Sequence, residues 1–343
     1  MKILLGLSGG VDSTYAALAL KNAGHEVAAA MLIMHGGMDP SDARESAAAL
    51  GIPLYEIDCR ESFEKTVVKN FSDEYICART PNPCVVCNSE VKFIELLRAA
   101  ENMGFDAIAT GHYARVIKLG DRYAVARGKD TKKDQTYMLW RLPQSVLRKL
   151  VLPLSDVTKE EIRAASADAG LSASERADSQ EICFISDGDY ASFVERERGT
   201  CPQGDFIDES GKVIGKHNGI IRYTVGQRKG LGISAPTRLF VTKIDAKNNT
   251  VTLSANDPHA KVVRVSGIVY SGLERPKSRE TYRLSVKLRY AAPPVLALVD
   301  FEGDLATVYL ESAQRAVTPG QSCVMYNGDV VFAGGFIDEA FCD

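Results

Sequence analysis

Short apolar runs alternate with amphipathic stretches from the N-terminus to about Thr200; beyond it the helical period gives way to short runs punctuated by Gly, Asn and Asp. Ile3 to Leu7 reads as a buried strand, Ser8-Gly9-Gly10 as a tight turn, and Asp12 to Leu20 as a helix with an apolar face. Glu26 to Ile33 repeats the strand pattern and Asp39 to Leu50 the helical one. Pro53 to Ile57 is a third strand, Glu61 to Tyr75 and Ser89 to Asn102 are further helices, and Phe105 to Thr110 is a fourth strand. Strand alternating with helix at this spacing predicts a parallel sheet wound on both faces, with ligands at the carboxyl ends of its strands. Ala114 to Lys118 and Arg122 to Arg127 form a hairpin about Gly120-Asp121. Asp130 to Tyr137 opens a helix that reaches Trp140, and Thr158 with Glu161 makes a capping box for a helix ending at Ala169.

The change of texture divides the chain into an α/β domain over residues 1–200, a small central β-rich domain over 201–264 and a C-terminal β-barrel over 265–343. A length of 343 residues, 45% hydrophobic and 25% charged, suits a globular protein of two or three domains. No apolar run approaches a membrane span and the chain starts directly on a strand, so the expected setting is cytoplasmic. Eight cysteines are too few for a disulfide scaffold; in a reducing compartment, clustered thiols point to chemistry or metal.

The net charge of −3 gives no global sign of a polyanionic partner, but its distribution does. Gly211 to Ile244 carries seven basic residues, among them Arg228 and Lys229, and no acid. Arg275 to Arg289 carries six against the single Glu280. Two such segments on an acidic chain fit a polyanion better than a merely solvated face.

Glycines at 9 and 10 let backbone amides approach an anion, the next helix aims its unpaired N–H groups at the same place, and the Ser8 and Ser13 hydroxyls add donors. A phosphate therefore fits between Gly6 and Ser13, although the lysine of the Walker loop is missing. Leu32 ends the second strand, where it can meet a nucleotide base or simply fill the core. Gly111 permits close backbone approach at the end of the fourth strand, and His112 beside it is one of only five histidines. Thr80-Pro81-Asn82-Pro83-Cys84-Val85-Val86-Cys87 is a stiff, polar loop with Cys87 expected at a helix start, where the dipole lowers a thiol's pKa. Such a Cys-x-x-Cys can be a redox pair, half a metal site, a nucleophile with a neighbour, or two buried thiols. Lys133, Asp134 and Gln135 offer a phosphate partner, an acceptor and an amide, and the polar run Asp178 to Glu181 marks Cys183 as a chemical rather than a core cysteine.

SGGVDS after the first strand resembles the pyrophosphate loop of the N-type ATP pyrophosphatases, which split ATP between its α and β phosphates. Taken with PNPCVVCN, ATGHYAR, KDQTYML, SQEICFI, YTVGQRKGLG and the late LRY and TPGQ, in that order, the chain resembles the tRNA-uridine 2-sulfurtransferases along essentially its whole length. The resemblance implies a doubly wound sheet of the adenine nucleotide alpha hydrolase-like type. It further implies ATP at Gly6, Leu7, Ser8, Gly9, Gly10, Val11, Asp12 and Ser13, with Leu32 and Gly111, and Mg²⁺ near Asp12. By the same resemblance, ATP adenylates the C2 oxygen of a wobble uridine; a persulfide on Cys183, loaded by a cysteine desulfurase or persulfide carrier, supplies sulfur; and Cys87 either attacks the persulfide or releases sulfide from it, leaving a Cys87–Cys183 disulfide. The resemblance further implies that Asn82, Pro83 and Cys84 face the target base, which must leave its stack, and that His112, Lys133, Asp134, Gln135, Arg289, Tyr290 and Gln321 touch the tRNA.

Many relatives carry an aspartate, the proposed acid/base, where this chain has Cys84. A thiol is a weaker hydrogen-bonding group, and Cys84, Cys87 and Cys183 can instead hold three irons of a four-iron cluster. The rival reading is an RNA-binding ATP pyrophosphatase of an amidotransferase-like type, which has no use for the cysteines.

Overall fold

The computed structural model describes residues 1–171, 182–272, 274–276 and 279–342. Asp178, Ser179, Gln180 and Glu181 of the polar run, and Lys277 of the second basic stretch, lie outside the described residues.

Ile3, Leu4 and Leu5 are fully buried, which is why the first apolar run forms a central strand, β1 (Lys2–Gly6). It lies between β2 (Glu26–Ile33) and β4 (Ala107–Thr110), with β3 (Leu54–Asp58) beyond β2. The hairpin of β5 (Arg115–Leu119) and β6 (Arg122–Ala126) forms as expected, and the two-residue β7 (Leu150–Val151) completes a five-stranded sheet beside β4. All its pairings are parallel, and the strand order reverses between β1 and β4. The crevice of a doubly wound sheet therefore opens where the glycine loop meets Gly111. Separate apolar clusters lie on its two faces, one holding Val11, Ala16 and Leu20 of helix α1 (Val11–Asn22) and the other Phe93, Leu96 and Ala100.

The helix carrying the cysteines begins earlier than its pattern suggests. It runs over 83–102, with a π-helical turn at Cys87–Lys92. Asn82 caps it by accepting the Cys84 amide at 3.1 Å, and Pro83 takes the first position, where a missing N–H costs nothing. The prolines that read as a stiff loop open the helix, so Cys84 sits in its first turn and Cys87 one turn further in. A second π-helical turn, Glu64–Val68, lies within the helix over 60–76.

The central sheet pairs β8 (Gly204–Ile207), β9 (Val213–His217), β10 (Phe240–Asp245) and β11 (Thr250–Ser254). Its core residues Phe206, Ile220 and Val251 share a cluster with Phe71 and Tyr75 of the helix over 60–76. The barrel comprises β12 (His259–Tyr270), β13 (Glu280–Lys287), β14 (Val295–Glu302), β15 (Leu305–Arg315), β16 (Ser322–Asn327) and β17 (Val330–Phe341). Pairing of β12 with both β15 and β17 closes it. The β5–β6 hairpin attaches to this barrel through Ala126 and Val330, although its sequence lies inside the N-terminal region. Trp140 is fully buried, its indole N–H donates to Ser322 Oγ at 3.0 Å, and its ring sits 5.4 Å from Phe336. The barrel thus shares a core with the α/β domain, which fixes the position of one against the other.

Candidate active site

The glycine loop is folded tightly on itself. Gly9 has φ +81°, and a Cβ there would lie 2.4 Å from the Asp42 backbone, so only glycine fits. The Ser8 and Ser13 hydroxyls are 3.2 Å apart, and Ser13 Oγ donates to the Gly10 carbonyl at 3.0 Å. Gly111 presses against the same turn: a Cβ there would meet Asp12 C and Ser13 N at 2.8 Å. Asp12 is the loop's one carboxylate, and two groups hold it. Tyr113 Oη donates to Oδ1 at 2.5 Å, and Lys159 Nζ donates to Oδ1 and Oδ2 at 2.8 and 2.9 Å. Val11 and Leu7 point into the core, as does Leu32, so Leu32 has only its backbone and the edge of its side chain to offer a nucleotide.

The thiols gather beside this crevice. Cys84 and Cys183 are exposed, whereas Cys87 is buried with its Sγ 3.5 Å from Met34 Sδ. Cys183 is held in place by its neighbour Phe184, whose ring packs edge-on against Phe63, Phe71 and Phe193 at 5.2 to 5.4 Å. Burial pushes the Cys87 thiol up to about 11; Lys92 opposes this, while Cys183 and Cys84 add to it. Cys183 is likewise raised, by burial and then by Cys84, and lowered by Lys92. The three thiols therefore lie within electrostatic reach of one another. The expected lowering at Cys87 does not occur: the thiol is one turn inside a helix rather than at its start, and desolvation outweighs the dipole. Among the described residues no three His, Cys, Asp or Glu side chains converge closely enough to hold a metal ion, so as placed the cysteines do not form a cluster cage.

His112 links the two halves of the site. It follows Gly111 in the chain, its Nδ1 lies 2.9 Å from the Thr110 hydroxyl, and its ring lies tilted against Phe93 with the centroids 5.4 Å apart. Burial first, and then Lys92, depress its pKa to about 3, so it is a neutral imidazole at physiological pH. Lys92 thus acts on Cys87, Cys183 and His112 together.

The residues expected to face tRNA divide into two groups. Arg228 and Lys229 are exposed in the central domain. Tyr290 is 40% exposed, sits 6.1 Å from Tyr137, and shares Lys287 with it, the ammonium standing 5.4 and 5.9 Å over the two rings. Burial and then Asp134 push the Tyr290 hydroxyl's pKa up, Lys133 opposes this and Cys84 adds to it, so Lys133 and Cys84 both lie within electrostatic reach of Tyr290. The others have internal partners. Asp134 is buried against Arg127 and accepts the Thr136 amide, while Gln135 bonds the Tyr113 backbone in both directions. Arg289 donates to Thr318 Oγ1 at 2.6 Å and to the Ala316 carbonyl. Gln321 Nε2 donates to the Thr80 carbonyl at 2.7 Å, fastening the strap before Asn82 to the barrel; Thr80 Oγ1 lies 3.1 Å from Thr224 Oγ1 of the central domain. A cavity of about 430 Å³ lies at this meeting of three domains, lined by Thr80, Thr224, Gln227, Arg289, Thr318 and Gln321.

Three family profiles tile the chain: a tRNA methyl transferase HUP domain over residues 1–187, a tRNA methyl transferase PRC-barrel domain over 191–255 and an aminomethyltransferase beta-barrel domain over 261–337. The tRNA-specific 2-thiouridylase MnmA of Clostridium botulinum (strain Alaska E43 / Type E3) is 41% identical, the alignment covering 98% of both chains. The chain belongs to the tRNA-specific 2-thiouridylase family. The 2-thiouridylase of Acetivibrio thermocellus is 42% identical over 98% of this chain and 99% of its own, and that of Syntrophotalea carbinolica 41% over 98% of each. Among solved structures, the NMN synthetase of Francisella tularensis aligns over 57% of the chain at 16% identity with a TM-score of 0.34, a likeness too weak to bear on function.

Within this 2-thiouridylase fold, sequence reasoning missed Lys92, Tyr113, Met34 and Lys159. Lys92 follows Cys87 by one π-helical turn, a spacing no α-helical pattern singles out. Lys159 was visible only as the first residue after a capping Thr158. Its role at the loop depends on a contact between distant parts of the chain.

Proposed function

We propose that this tRNA-uridine 2-sulfurtransferase activates the C2 oxygen of a tRNA wobble uridine with ATP and replaces it with sulfur carried on Cys183. The C2 oxygen attacks the α-phosphorus of ATP bound at Gly6–Ser13, Leu32 and Gly111, and the pyrophosphate held by Ser8–Ser13 leaves; AMP on oxygen is then a good leaving group. The terminal sulfur of a Cys183 persulfide attacks C2 and expels AMP. The Cys87 thiolate next attacks Sγ of Cys183, the sulfur–sulfur bond to the base breaks, and 2-thiouridine leaves a Cys87–Cys183 disulfide. A persulfide donor must reload Cys183, and a thiol reductant must first supply two electrons to reopen the disulfide. Lys92 favours both thiolates, and Cys84, in place of a carboxylate, lines the base pocket with Asn82 and Pro83.

One observation carries this reading: Cys183, far along the chain from Cys87, lies within electrostatic reach of it, and Lys92 ties both to His112, next to the glycine that touches Asp12. Residues 1–200 hold the chemistry, while 201–264, through Arg228 and Lys229, and 265–343, through Arg289, Tyr290 and Gln321, hold the tRNA. The test is Cys183→Ser assayed with tRNA, ATP and a persulfide donor. Pyrophosphate release continues and 2-thiouridine is absent; thiouridine that survives the substitution overturns the mechanism.

A further inference from the structure

The Ser8–Ser13 loop offers a triphosphate amides and hydroxyls but no cation. Yet a lysine side chain that is only 7% exposed lies at the loop, gripping both oxygens of Asp12. Taking an ammonium ion out of water is costly, and orienting Asp12 does not require it, since Tyr113 already donates to that carboxylate at 2.5 Å. The position of Lys159 is also built rather than incidental. Its backbone N–H donates to Asp130 Oδ2 at 3.0 Å, and Oδ1 of the same carboxylate accepts the Lys132 and Lys133 amides at 3.0 and 3.1 Å. Thr158 and Glu161 cap the helix that starts there. Asp12 itself is 31% exposed, so the pair lies at the edge of the crevice rather than deep in the core.

We infer that Lys159 is the phosphate-binding cation that the loop lacks: its ammonium, stored on Asp12 in the empty site, moves onto the β- and γ-phosphates of ATP. This rests on the reading of Gly6–Ser13 as the ATP loop. An ammonium–phosphate contact is charge-assisted, and a point charge on a flexible stem can move between two acceptors without rebuilding the backbone.

Equilibrium dialysis of ATP and of AMP, both with magnesium chloride, tests it on the wild type, Lys159→Met, Lys159→Arg, Asp12→Asn and the Asp12→Asn/Lys159→Met double variant. Lys159→Met weakens ATP binding about ten- to a hundredfold and leaves AMP unchanged. Lys159→Arg keeps most of the ATP affinity. The double variant, which leaves neither charge buried without its partner, still binds ATP more weakly than Asp12→Asn alone. If Lys159 only oriented Asp12, the lysine substitution would have no further effect in the Asp12→Asn background, and that result overturns the inference. Equal losses for ATP and AMP overturn it as well. Failure of the wild type to bind ATP refutes the loop assignment instead, so the two failures are distinguishable.

Discussion

Replacing Gly111 with alanine adds one methyl group at the tightest contact of the site. The new Cβ would lie 2.8 Å from Asp12 C and Ser13 N and 2.9 Å from Asp12 O, where ordinary contact begins near 3.4 Å. Gly111 does not have positive φ, so alanine meets no dihedral penalty and the cost is purely steric. Both sides are backbone. On one, Thr110 is paired with Gly6 across the sheet; on the other lies the first turn of α1. One of them must yield by about 0.6 Å, the difference between the 3.4 and 2.8 Å separations. Overpacking of this kind costs about 1–3 kcal/mol, a fall in Tm of roughly 2–4 °C per kcal/mol for a domain of this class. The functional loss is larger, because a displacement near 1 Å of groups that hold a reacting phosphate costs about a hundredfold in rate. Pyrophosphate release and 2-thiouridine formation at saturating ATP measure that loss, and a thermal scan measures the fold. Gly36→Ala, with nothing within 4 Å of the added methyl, is the control and behaves as wild type. A Gly111→Ala enzyme with unchanged Tm, ATP affinity and rate would refute the claim that this glycine lets the β4 end meet the loop.

Iodoacetamide at pH 8 modifies exposed Cys84 and Cys183 before Cys87, whose labelling climbs as pH approaches about 11; Lys92→Met slows labelling of Cys87 and Cys183, read by peptide mass spectrometry. His112 makes the fold acid-sensitive: its pKa is about 3 when folded and near 6.5 in the unfolded chain, so between these values the unfolded state binds the extra proton and stability falls as pH is lowered. Urea unfolding from pH 7 to 4 shows a smaller loss for His112→Asn than for the wild type. Gly320→Ala places a Cβ 2.8 Å from Thr80 N at a backbone with φ +90°, loosening the strap that Gln321 holds. Thiouridine formation falls by about tenfold while ATP affinity is kept, and equal losses of both would count against a role confined to the base pocket.

The sequence alone determined what local chemistry can encode. A fully apolar run predicts a central strand, paired glycines predict a tight turn, and the Thr158–Glu161 spacing predicts a capping box that forms as written. Periods and caps depend on neighbours a few residues apart, so they survive in the bare chain. Tertiary structure decided the rest. Pro83 and Asn82 began a helix where loop residues were expected, which moved Cys87 inward and reversed the sign of its expected shift. The hairpin about Gly120 joined the barrel, not the sheet beside it in sequence. Gln135, Asp134 and Gln321 proved to be tied to internal partners, while Lys159 and Lys92 came to the site unannounced. Burial and charge pairing fix a group's chemistry, and both are set by which distant segments pack together, so no local spacing can carry that information.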